Sequence, residues 1–193
     1  MPDSESLIDF FQRHPKVWVL TGAGISLASG IPTYRDQHGN WQRNDPIKHW
    51  EFINQLSKRK RYWARSMVGW REMRAVSPNV VHQALTALQS AGAISQIVTQ
   101  NVDGLHQSAG SRNVIDLHGR MDSVCCMDCG ALSEREALQT RLETLNPELA
   151  GFVADVLPDG DADIDDYPIE TVLVPECEAC GGMLKPDVVF FGD

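Results

Sequence analysis

The stretch Lys16-Val-Trp-Val-Leu-Thr-Gly-Ala-Gly-Ile-Ser26 predicts a buried β-strand that runs directly into a glycine-rich turn. In a turn of this kind, Gly22 and Gly24 let the backbone approach a pyrophosphate, and amides near the start of a following helix can stabilise the phosphates. The third glycine of the dinucleotide-binding fingerprint is absent, because Leu27 stands at its position. The turn is therefore a candidate cofactor site that needs support from the rest of the chain.

Strands and helices alternate along the sequence. Hydrophobic periodicity predicts helices over residues 7–13, 79–91 and 132–149, and two or three short amphipathic helices within 46–74. It predicts further strands over residues 93–99, 113–117 and 184–191. Such alternation indicates an α/β fold with a parallel sheet, in which the loops at the carboxyl ends of the strands carry function.

Polar side chains crowd the end of the strand predicted over residues 93–99. Gln100, Asn101 and Asp103 follow it directly, where a purely structural loop needs only one or two turn-forming residues. Their amide and carboxylate groups are suited to hold ribose hydroxyls or a carboxamide. The alternative is an Asx-type turn in which Asp103 caps a helix. His118 ends the next strand, and an imidazole there is either a structural histidine or a candidate general base.

Two Cys-x-x-Cys-Gly turns, Cys126-Met-Asp-Cys129-Gly130 and Cys177-Glu-Ala-Cys180-Gly181, predict a metal site. Four thiolates on two matched turns are a typical ligand set of tetrahedral zinc. Disulfide pairing is the alternative, but no apolar leader follows Met1. Cys125 lies one residue too far from Cys129 for such a turn, so we expect a free thiol. Four protein ligands leave no position for water, which indicates a structural zinc.

Length and charge limit the classes of function. The chain has 193 residues, of which 42% are hydrophobic, enough for one large or two small domains. Its net charge of -9 argues against a nucleic-acid surface, which needs a basic footprint, but it is compatible with a basic peptide partner. The sequence holds no uncharged apolar run of membrane length. We therefore expect a cytoplasmic protein without nucleic-acid or membrane partners.

These pieces follow the order found in sirtuins, and the chain resembles that family from Val17 to its last residue. The shared motifs are Gly22-Ala-Gly-Ile-Ser26, Gly30-Ile-Pro-Thr-Tyr-Arg-Asp36, Thr99-Gln-Asn-Val-Asp103, Leu117-His-Gly119, both cysteine turns and Leu184-Lys-Pro-Asp-Val-Val-Phe-Phe-Gly-Asp193. Arg61-Tyr-Trp-Ala-Arg65, Val68-Gly-Trp70 and the acidic stretch between the cysteine turns are similar to the class II branch. That branch includes a mitochondrial member described as a lipoamidase, deacylase and ADP-ribosyltransferase, whereas a bacterial source is expected here.

The resemblance implies a Rossmann-like parallel sheet with a small zinc-ribbon and helical domain. The implied NAD-binding domain comprises residues 1–36, 81–119 and 184–193, with a cofactor loop and helical module over 37–80 and a zinc-binding module over 120–183. Sirtuins continue beyond the Phe-Gly-Asp at the end of this chain, into segments that bind the adenosine half of NAD. We therefore expect the parallel sheet to be incomplete here and activity to depend on that further sequence.

The resemblance also implies roles for individual residues. Those matched to NAD binding are Gly22, Ala23, Gly24, Ser26, Tyr34, Arg35, Gln100, Asn101 and Asp103. The implied catalytic set is His118 as the general base, with Asn101 and Asp103 placing the nicotinamide ribose and carboxamide. The implied zinc ligands are Cys126, Cys129, Cys177 and Cys180. The segment implied to pair with an acyl-lysine peptide as an added strand contains Val189, Phe191, Gly192 and Asp193.

The implied activity is NAD-dependent deacylation of protein lysine, which transfers the acyl group to ADP-ribose and releases nicotinamide. Protein ADP-ribosylation or lipoamidase activity on the same fold is an alternative. A non-catalytic zinc-ribbon interaction module is another, although it leaves the polar residues after the second strand without a purpose. An NAD oxidoreductase is a third alternative, but this sequence has no evident acidic residue after a second strand that would anchor the ribose. Asn40-Trp-Gln-Arg43 offers Arg43 without the tyrosine of succinyl-preferring sirtuins, which predicts neutral acyl substrates.

Overall fold

The computed structural model describes residues 4–33, 38, 46–152, 154, 162, 164 and 167–193. The strands are β1 Val17–Thr21, β2 Ile94–Thr99, β3 Val114–Asp116, β4 Gly119–Cys126, β5 Leu132–Glu134 and β6 Leu184–Val188. The helices are α1 Ser4–Arg13, α2 His49–Asn54, α3 Leu56–Ala75, α4 Val80–Ser90, α5 Leu105–Ser108, α6 Arg135–Leu145 and α7 Pro147–Ala150. Two 3-10 helices cover Ala23–Ser29 and Ile169–Thr171. Among these described residues, no helix has the length and apolar character needed to cross a membrane.

The first three strands form a parallel sheet in the order β1-β2-β3. Thr21 at the end of β1 pairs with Thr99 at the end of β2, and Thr99 pairs in turn with Asp116 at the end of β3. The chain therefore leaves all three strands at the same edge. The predicted α/β class with a parallel sheet is confirmed, and this edge is where ligand sites of such sheets lie.

Helix α4 connects this sheet as the sequence predicts. Its N-cap is Asn79, whose side chain accepts hydrogen bonds from the backbone amides of Val81 and His82. It ends before Gly92, which adopts a left-handed φ of +80°. A side chain other than glycine is strained in that conformation, so glycine ends the helix at low cost.

The prediction that residues 184–191 add a strand to the parallel sheet is wrong. β6 is antiparallel to β4 in a second sheet of order β5-β4-β6, with Leu184 opposite Cys126. Sequence analysis did not predict β4 at all. A short apolar run predicts an extended strand, but it does not identify the partner or its direction. The first cysteine turn lies at the end of β4, and the second lies before the start of β6. When the two turns come together, the end of β4 lies beside the start of β6, and the two strands therefore run in opposite directions.

Two helical predictions are also partly wrong. The region predicted to hold only short helices contains α3, which is 20 residues long. Residues 132–149, predicted as one helix, form β5, α6 and α7 instead. Pro147 begins α7, because proline lacks the amide that would continue α6 and its fixed φ suits the first turn of a new helix.

One hydrophobic core joins α3 to the second sheet and to α6. Its larger buried members include Phe52, Trp63, Met67, Val124, Leu138, Leu142, Leu149 and Leu184. Within it, the fully buried guanidinium of Arg135 lies 4.9 Å from the ring centroid of Trp70 and 5.6 Å from that of Trp63. The Nη2 of Arg135 donates to the Ser66 carbonyl oxygen at 3.2 Å. The predicted helical and zinc-binding modules therefore share a core, while their exact boundaries stay a prediction.

Candidate functional site

Three of the predicted site residues meet at the carboxyl edge of the parallel sheet. The Ser26 hydroxyl donates to Oδ2 of Asp103 at 2.7 Å and accepts from Nδ2 of Asn101 at 3.0 Å. Ser26 follows β1 and is 1% exposed, whereas Asn101 and Asp103 follow β2 and are half-buried. The parallel pairing of the two strands brings these distant segments together. The cluster, called here the serine cluster, consists of Ser26, Asn101 and Asp103.

Asp103 makes two separate contacts, and the Asx-type turn is one of them, while its role in holding a ribose or carboxamide stays a prediction. Its Oδ1 accepts from the backbone amide of Leu105 at 2.9 Å, which is the Asx-type contact at the start of α5. Its Oδ2 is the acceptor for Ser26. One carboxylate thus caps a helix and orients the serine cluster. Gly104, which lies between Asp103 and Leu105 in the sequence, has a φ of +69°, and this conformation favours glycine.

The glycine-rich turn leaves space beside its backbone. A Cβ built on Gly22 or on Gly24 meets no atom within 4 Å among the described residues. Gly22 has a φ of -145°, which any residue adopts. Neither packing nor backbone strain therefore explains these two glycines. Open space along the backbone is what the close approach of a phosphate group requires, so the turn fits the predicted dinucleotide.

His118 is joined to the same edge by a hydrogen bond that defines its chemistry. Its Nδ1 lies 2.8 Å from the backbone carbonyl oxygen of Gln100. A carbonyl oxygen can only accept, so Nδ1 carries the proton and Nε2 is the basic nitrogen of the neutral ring. The side chain is exposed. The hydrogen bond therefore fixes the tautomer of the neutral ring and leaves the lone pair on Nε2, the nitrogen that a general base would use.

The predicted peptide-binding segment begins beside His118. The Val189 amide donates to the His118 carbonyl oxygen at 2.9 Å. Gly119 permits this close crossing, because a Cβ there would lie 2.0 Å from the Asp187 carbonyl oxygen. Val189 and Phe191 are 53% and 58% exposed. The segment thus lies next to the candidate base and presents side chains to solvent.

Asp193, also predicted in that segment, directs its carboxylate inward. Oδ2 accepts from the Lys185 ammonium at 2.8 Å and from the Phe190 amide at 2.9 Å, while Oδ1 contacts the imidazole of His49. Burial opposes ionisation, but these donors outweigh it and lower the pKa of Asp193. Lys185 is 7% exposed. The carboxylate therefore holds the turn through Gly192, whose φ is +84°, against α2.

A buried histidine pair under the turn was missed by sequence analysis. Nε2 of His106 lies 2.9 Å from the Thr21 hydroxyl, and the rings of His106 and His82 are 5.0 Å apart. Both side chains are almost fully buried. Burial lowers the pKa of each ring, and for His106 the neighbouring His82 adds to the effect. Each histidine occurs alone in the sequence, so no motif indicated the pair.

The four predicted metal ligands converge. Their sulfur atoms all lie within 4.8 Å of one another, with Cys126 and Cys180 at 3.5 Å and Cys129 and Cys177 at 3.8 Å. Four sulfurs bound tetrahedrally at ~2.3 Å from zinc are about 3.8 Å apart, so the donor set fits zinc. The backbone amide of Cys129 lowers the pKa of Cys126 to about 7, and a contact from the Cys129 thiol raises that of Cys180 to about 12.

Both cysteine turns use their glycines as predicted. Gly130 and Gly181 have φ values of +71° and +75°, and their amides donate to the Cys126 and Cys177 carbonyl oxygens at 3.0 and 2.8 Å. Cys125 is a free cysteine outside the four-sulfur group, as predicted. Burial raises the pKa of its thiol, which keeps it protonated and makes it a poor ligand.

Three predicted features lie outside the described residues. They are the NAD contacts Tyr34 and Arg35 and the acyl-selecting stretch from Asn40 to Arg43. Gln100 lies within the described residues and is exposed. Its backbone amide donates to the Thr21 carbonyl oxygen at 3.0 Å. Its backbone thus extends the pairing of β1 and β2 by one step, and its carbonyl holds His118.

Comparison with known proteins agrees with this arrangement. The Sir2 family profile matches residues 22–193. NAD-dependent protein deacetylase 2 of Bradyrhizobium diazoefficiens is 52% identical over 190 residues, which cover 98% of this chain and 70% of the relative. The NAD-dependent protein deacetylase of Xanthomonas axonopodis pv. citri is 52% identical over 191 residues, which cover 99% of this chain and 65% of the relative.

Solved structures show the same fold. A Sir2 homologue bound to ADP-ribose has a TM-score of 0.70 and 32% identity, and the match covers 100% of this chain and 65% of that one. A Sir2 protein with NAD+ and a p53 peptide has a TM-score of 0.69 and 28% identity, covering 100% and 66%. The class is thus a Rossmann-like α/β protein with a four-cysteine site. The chain belongs to the Sir2 family, and it spans about two thirds of the length of most of these relatives.

Proposed function

We propose that the protein is an NAD-dependent protein-lysine deacylase with its active site at the carboxyl edge of the parallel sheet. The observation that carries this proposal is the serine cluster, in which two separate predicted cofactor segments meet through hydrogen bonds of 2.7 and 3.0 Å. Bacterial relatives of about 50% identity are named NAD-dependent protein deacetylases, which supports the same activity here. A cytoplasmic location is proposed with it, in keeping with five cysteines that form no disulfide.

The turn and the serine cluster would hold NAD together. The open space at Gly22 and Gly24 supports a pyrophosphate beside the turn, with Ala23, Tyr34 and Arg35 as further contacts. Asn101 and Asp103 offer an amide and a carboxylate for the nicotinamide ribose and carboxamide. When bound, NAD supplies an electrophilic ribose carbon and nicotinamide as the leaving group. The protein's own contribution is to orient the ribose and exclude competing water.

His118 would move the proton. Its Nδ1–H is held by the Gln100 carbonyl oxygen at 2.8 Å, so Nε2 can take a proton from a ribose hydroxyl. A fixed tautomer keeps the lone pair pointed away from the strand end. A zinc ion held by the four thiolates would have no open position for substrate and would take no part in this step.

The acyl-lysine peptide would pair beside Val189 and Phe191. Their exposure of 53% and 58% supports peptide addition at this segment, in which main-chain hydrogen bonds give affinity and side-chain pockets give selectivity. Asp193 is proposed to act by holding the segment, since its carboxylate faces Lys185. Neutral acyl groups are the proposed substrates, because the sequence has Arg43 without the tyrosine of succinyl-preferring sirtuins.

An assay with NAD and an acetyl-lysine peptide tests the proposal. A full-length version of the protein is expected to release nicotinamide and deacetylated peptide only when both substrates are present. Asp103→Asn is the informative variant, because Oδ1 still caps α5 while the new amide cannot accept from Ser26. Asp122→Asn is the matched control, since Asp122 is half exposed and pairs with Arg120. We expect the rate of deacylation to fall at least about tenfold in Asp103→Asn and to change little in Asp122→Asn.

Other outcomes identify the alternatives. ADP-ribose attached to a protein, without free lysine, would support ADP-ribosylation. Formation of reduced cofactor would support an oxidoreductase. Partner binding without any nicotinamide release would support a zinc-ribbon interaction module, and each of these results would contradict the deacylase proposal.

A further inference from the structure

The Asn79 side chain joins helix α4 to the 3-10 helix that follows the glycine-rich turn. Its Nδ2 donates to the Ile25 carbonyl oxygen at 2.7 Å and to the Ser29 hydroxyl at 3.0 Å. Its Oδ1 accepts from the amides of Val81 and His82 at 2.9 and 3.4 Å. The first two groups belong to the 3-10 helix that follows the turn, and the last two begin α4. One side chain thus ties the 3-10 helix to α4.

The junction uses every hydrogen-bonding group of a side-chain amide. A side-chain amide carries two N–H donors and an oxygen that accepts twice, and all four positions are used here. The orientation of the amide is fixed, because a carbonyl oxygen lies on one side and two backbone amides lie on the other. Aspartate would keep the two accepted bonds and lose both donors. Serine would cap the helix but has a single donor.

The contacts of Asn79 complete a set that fixes the turn from several sides. Thr21, just before the turn, is held by His106 at 2.9 Å, and Ser26 within the 3-10 helix is held by the serine cluster. Asn79 fixes the backbone carbonyl of Ile25, which precedes Ser26 directly. The orientation of the backbone at Ile25 determines where the Ser26 hydroxyl and the preceding amides point.

We propose that Asn79 is a positioning residue for NAD binding, acting through the backbone of Ile25 and the hydroxyl of Ser29. The proposal rests on the proposed function, because the ligand of the turn is taken to be NAD. Asn79 itself touches no reacting atom. Loss of its two donated hydrogen bonds alone should weaken NAD binding while leaving α4 capped and the peptide segment unchanged.

Asn79→Asp and Asn79→Ala separate this role from helix capping. Aspartate caps as well as asparagine but places a carboxylate against the Ile25 carbonyl, whereas alanine loses the cap as well. In Asn79→Asp we expect a smaller fall in melting temperature than in Asn79→Ala, because the cap is kept, and a rise on the order of tenfold in the dissociation constant for NAD, the value expected for two lost hydrogen bonds. Asn79→Ala should show the same loss of affinity together with lower stability.

Hydrogen exchange of the ligand-free protein provides a readout that does not need NAD. In Asn79→Asp, the amides of residues 25–31 should exchange faster while those of α4 keep their protection. Asn146→Asp is the matched control, because Asn146 is a buried asparagine in the zinc-binding part that donates to Leu142 and Leu173. It should lower stability and leave the affinity for NAD unchanged.

The outcomes distinguish this proposal from the proposed function. Wild-type protein that binds NAD, with unchanged affinity and exchange in Asn79→Asp, would overturn the role of Asn79 alone. Wild-type protein that does not bind NAD would overturn the proposed function and, with it, this role. Faster exchange at residues 25–31 combined with weaker NAD binding is the supporting result.

Discussion

Hydrogen bonds at single residues define which atoms of the site can react. The Gln100 carbonyl accepts from Nδ1 of His118 and so leaves Nε2 as the base. Ser26 similarly has its proton committed to Asp103 while it accepts from Asn101. Each arrangement allows one chemically consistent proton assignment, and the proposed chemistry depends on it.

Replacing the candidate base gives a first prediction. His118→Asn should lower the rate of deacylation at saturating substrates by about 10²–10⁴-fold, because general-base catalysis contributes that much. Zinc content and melting temperature should stay close to those of the wild type, since His118 is exposed and lies outside the cysteine turns. Turnover near the wild-type rate, measured as peptide deacylated at saturating NAD, would show that His118 is only structural.

The buried histidine pair gives a prediction about pH. Burial lowers the pKa of His82 and His106 in the folded protein, so the unfolded chain binds protons first as pH falls. Their neutral state contributes stability that is fully present above the unfolded pKa of about 6.5 and is lost as pH falls below it. The free energy of unfolding should therefore decrease between pH 7.5 and 5.5 at constant zinc.

A variant isolates this contribution from other titrating groups. In His106→Gln the decrease between the two pH values should be smaller, because one of the two buried rings is gone. Denaturant unfolding at both values, with wild type and variant side by side, measures the difference. The same pH dependence in both proteins would contradict the assignment.

Strand crossings restrict single positions within the elements. At the start of β4, Gly119 has a φ of +75° and approaches the backbone of Asp187 so closely that a Cβ would lie 2.0 Å from its carbonyl oxygen. Gly119→Ala should therefore lower the free energy of unfolding by more than the ~1–2 kcal/mol that a left-handed conformation alone costs. Gly92→Ala is the control, because Gly92 has a φ of +80° but open space around it. Equal losses in the two variants, measured by denaturant unfolding, would show that the β4–β6 crossing adjusts.

Elements whose signals are local could be predicted from the sequence. The first three strands, α4 with its glycine stop and the cysteine turns each follow from a few neighbouring residues. The pairing of β6 with β4 could not be predicted, because a five-residue strand carries no local information about its partner. The contacts of Asn79 with Ile25 and Ser29 span about 50 residues and likewise leave no local pattern.

The candidate site shows the same division. Family motifs indicated Ser26, Asn101, Asp103 and His118. Parallel strand pairing explains why the first three meet, and His118 bonds to Gln100 at the same sheet edge. The pairing of His82 with His106 was not indicated, since a buried histidine resembles any other in the sequence. That Asp193 belongs to the peptide-pairing segment stays a prediction, but its sequence position did not show that its carboxylate contacts Lys185.

At the scale of the whole molecule, zinc and the helical region depend on one core. Arg135 of α6 lies between Trp63 and Trp70 of α3, and the metal-binding Cys126 and Cys177 belong to the same buried cluster. Zinc binding energy contributes directly to folding in such sites. Loss of the metal should therefore loosen α3 as well as the region between the cysteine turns.

Chelation and Cys129→Ala test this coupling. Elemental analysis should find one zinc per chain, and either change should unfold the region from Arg120 to Met183. Hydrogen exchange should then increase in α3 while β1 and β2 keep their protection, since they belong to the separate parallel sheet. Unchanged exchange in α3 after zinc removal would contradict the shared core, and absence of zinc would contradict the metal assignment.

The most direct measurement of the proposed chemistry is the stoichiometry of products formed from NAD and an acetyl-lysine peptide. Acyl transfer from lysine to ADP-ribose predicts equal amounts of nicotinamide, deacetylated peptide and O-acetyl-ADP-ribose, with none formed when either substrate is omitted. Deacetylated peptide without nicotinamide, or nicotinamide released at the same rate without peptide, would contradict an active site built from the serine cluster and His118.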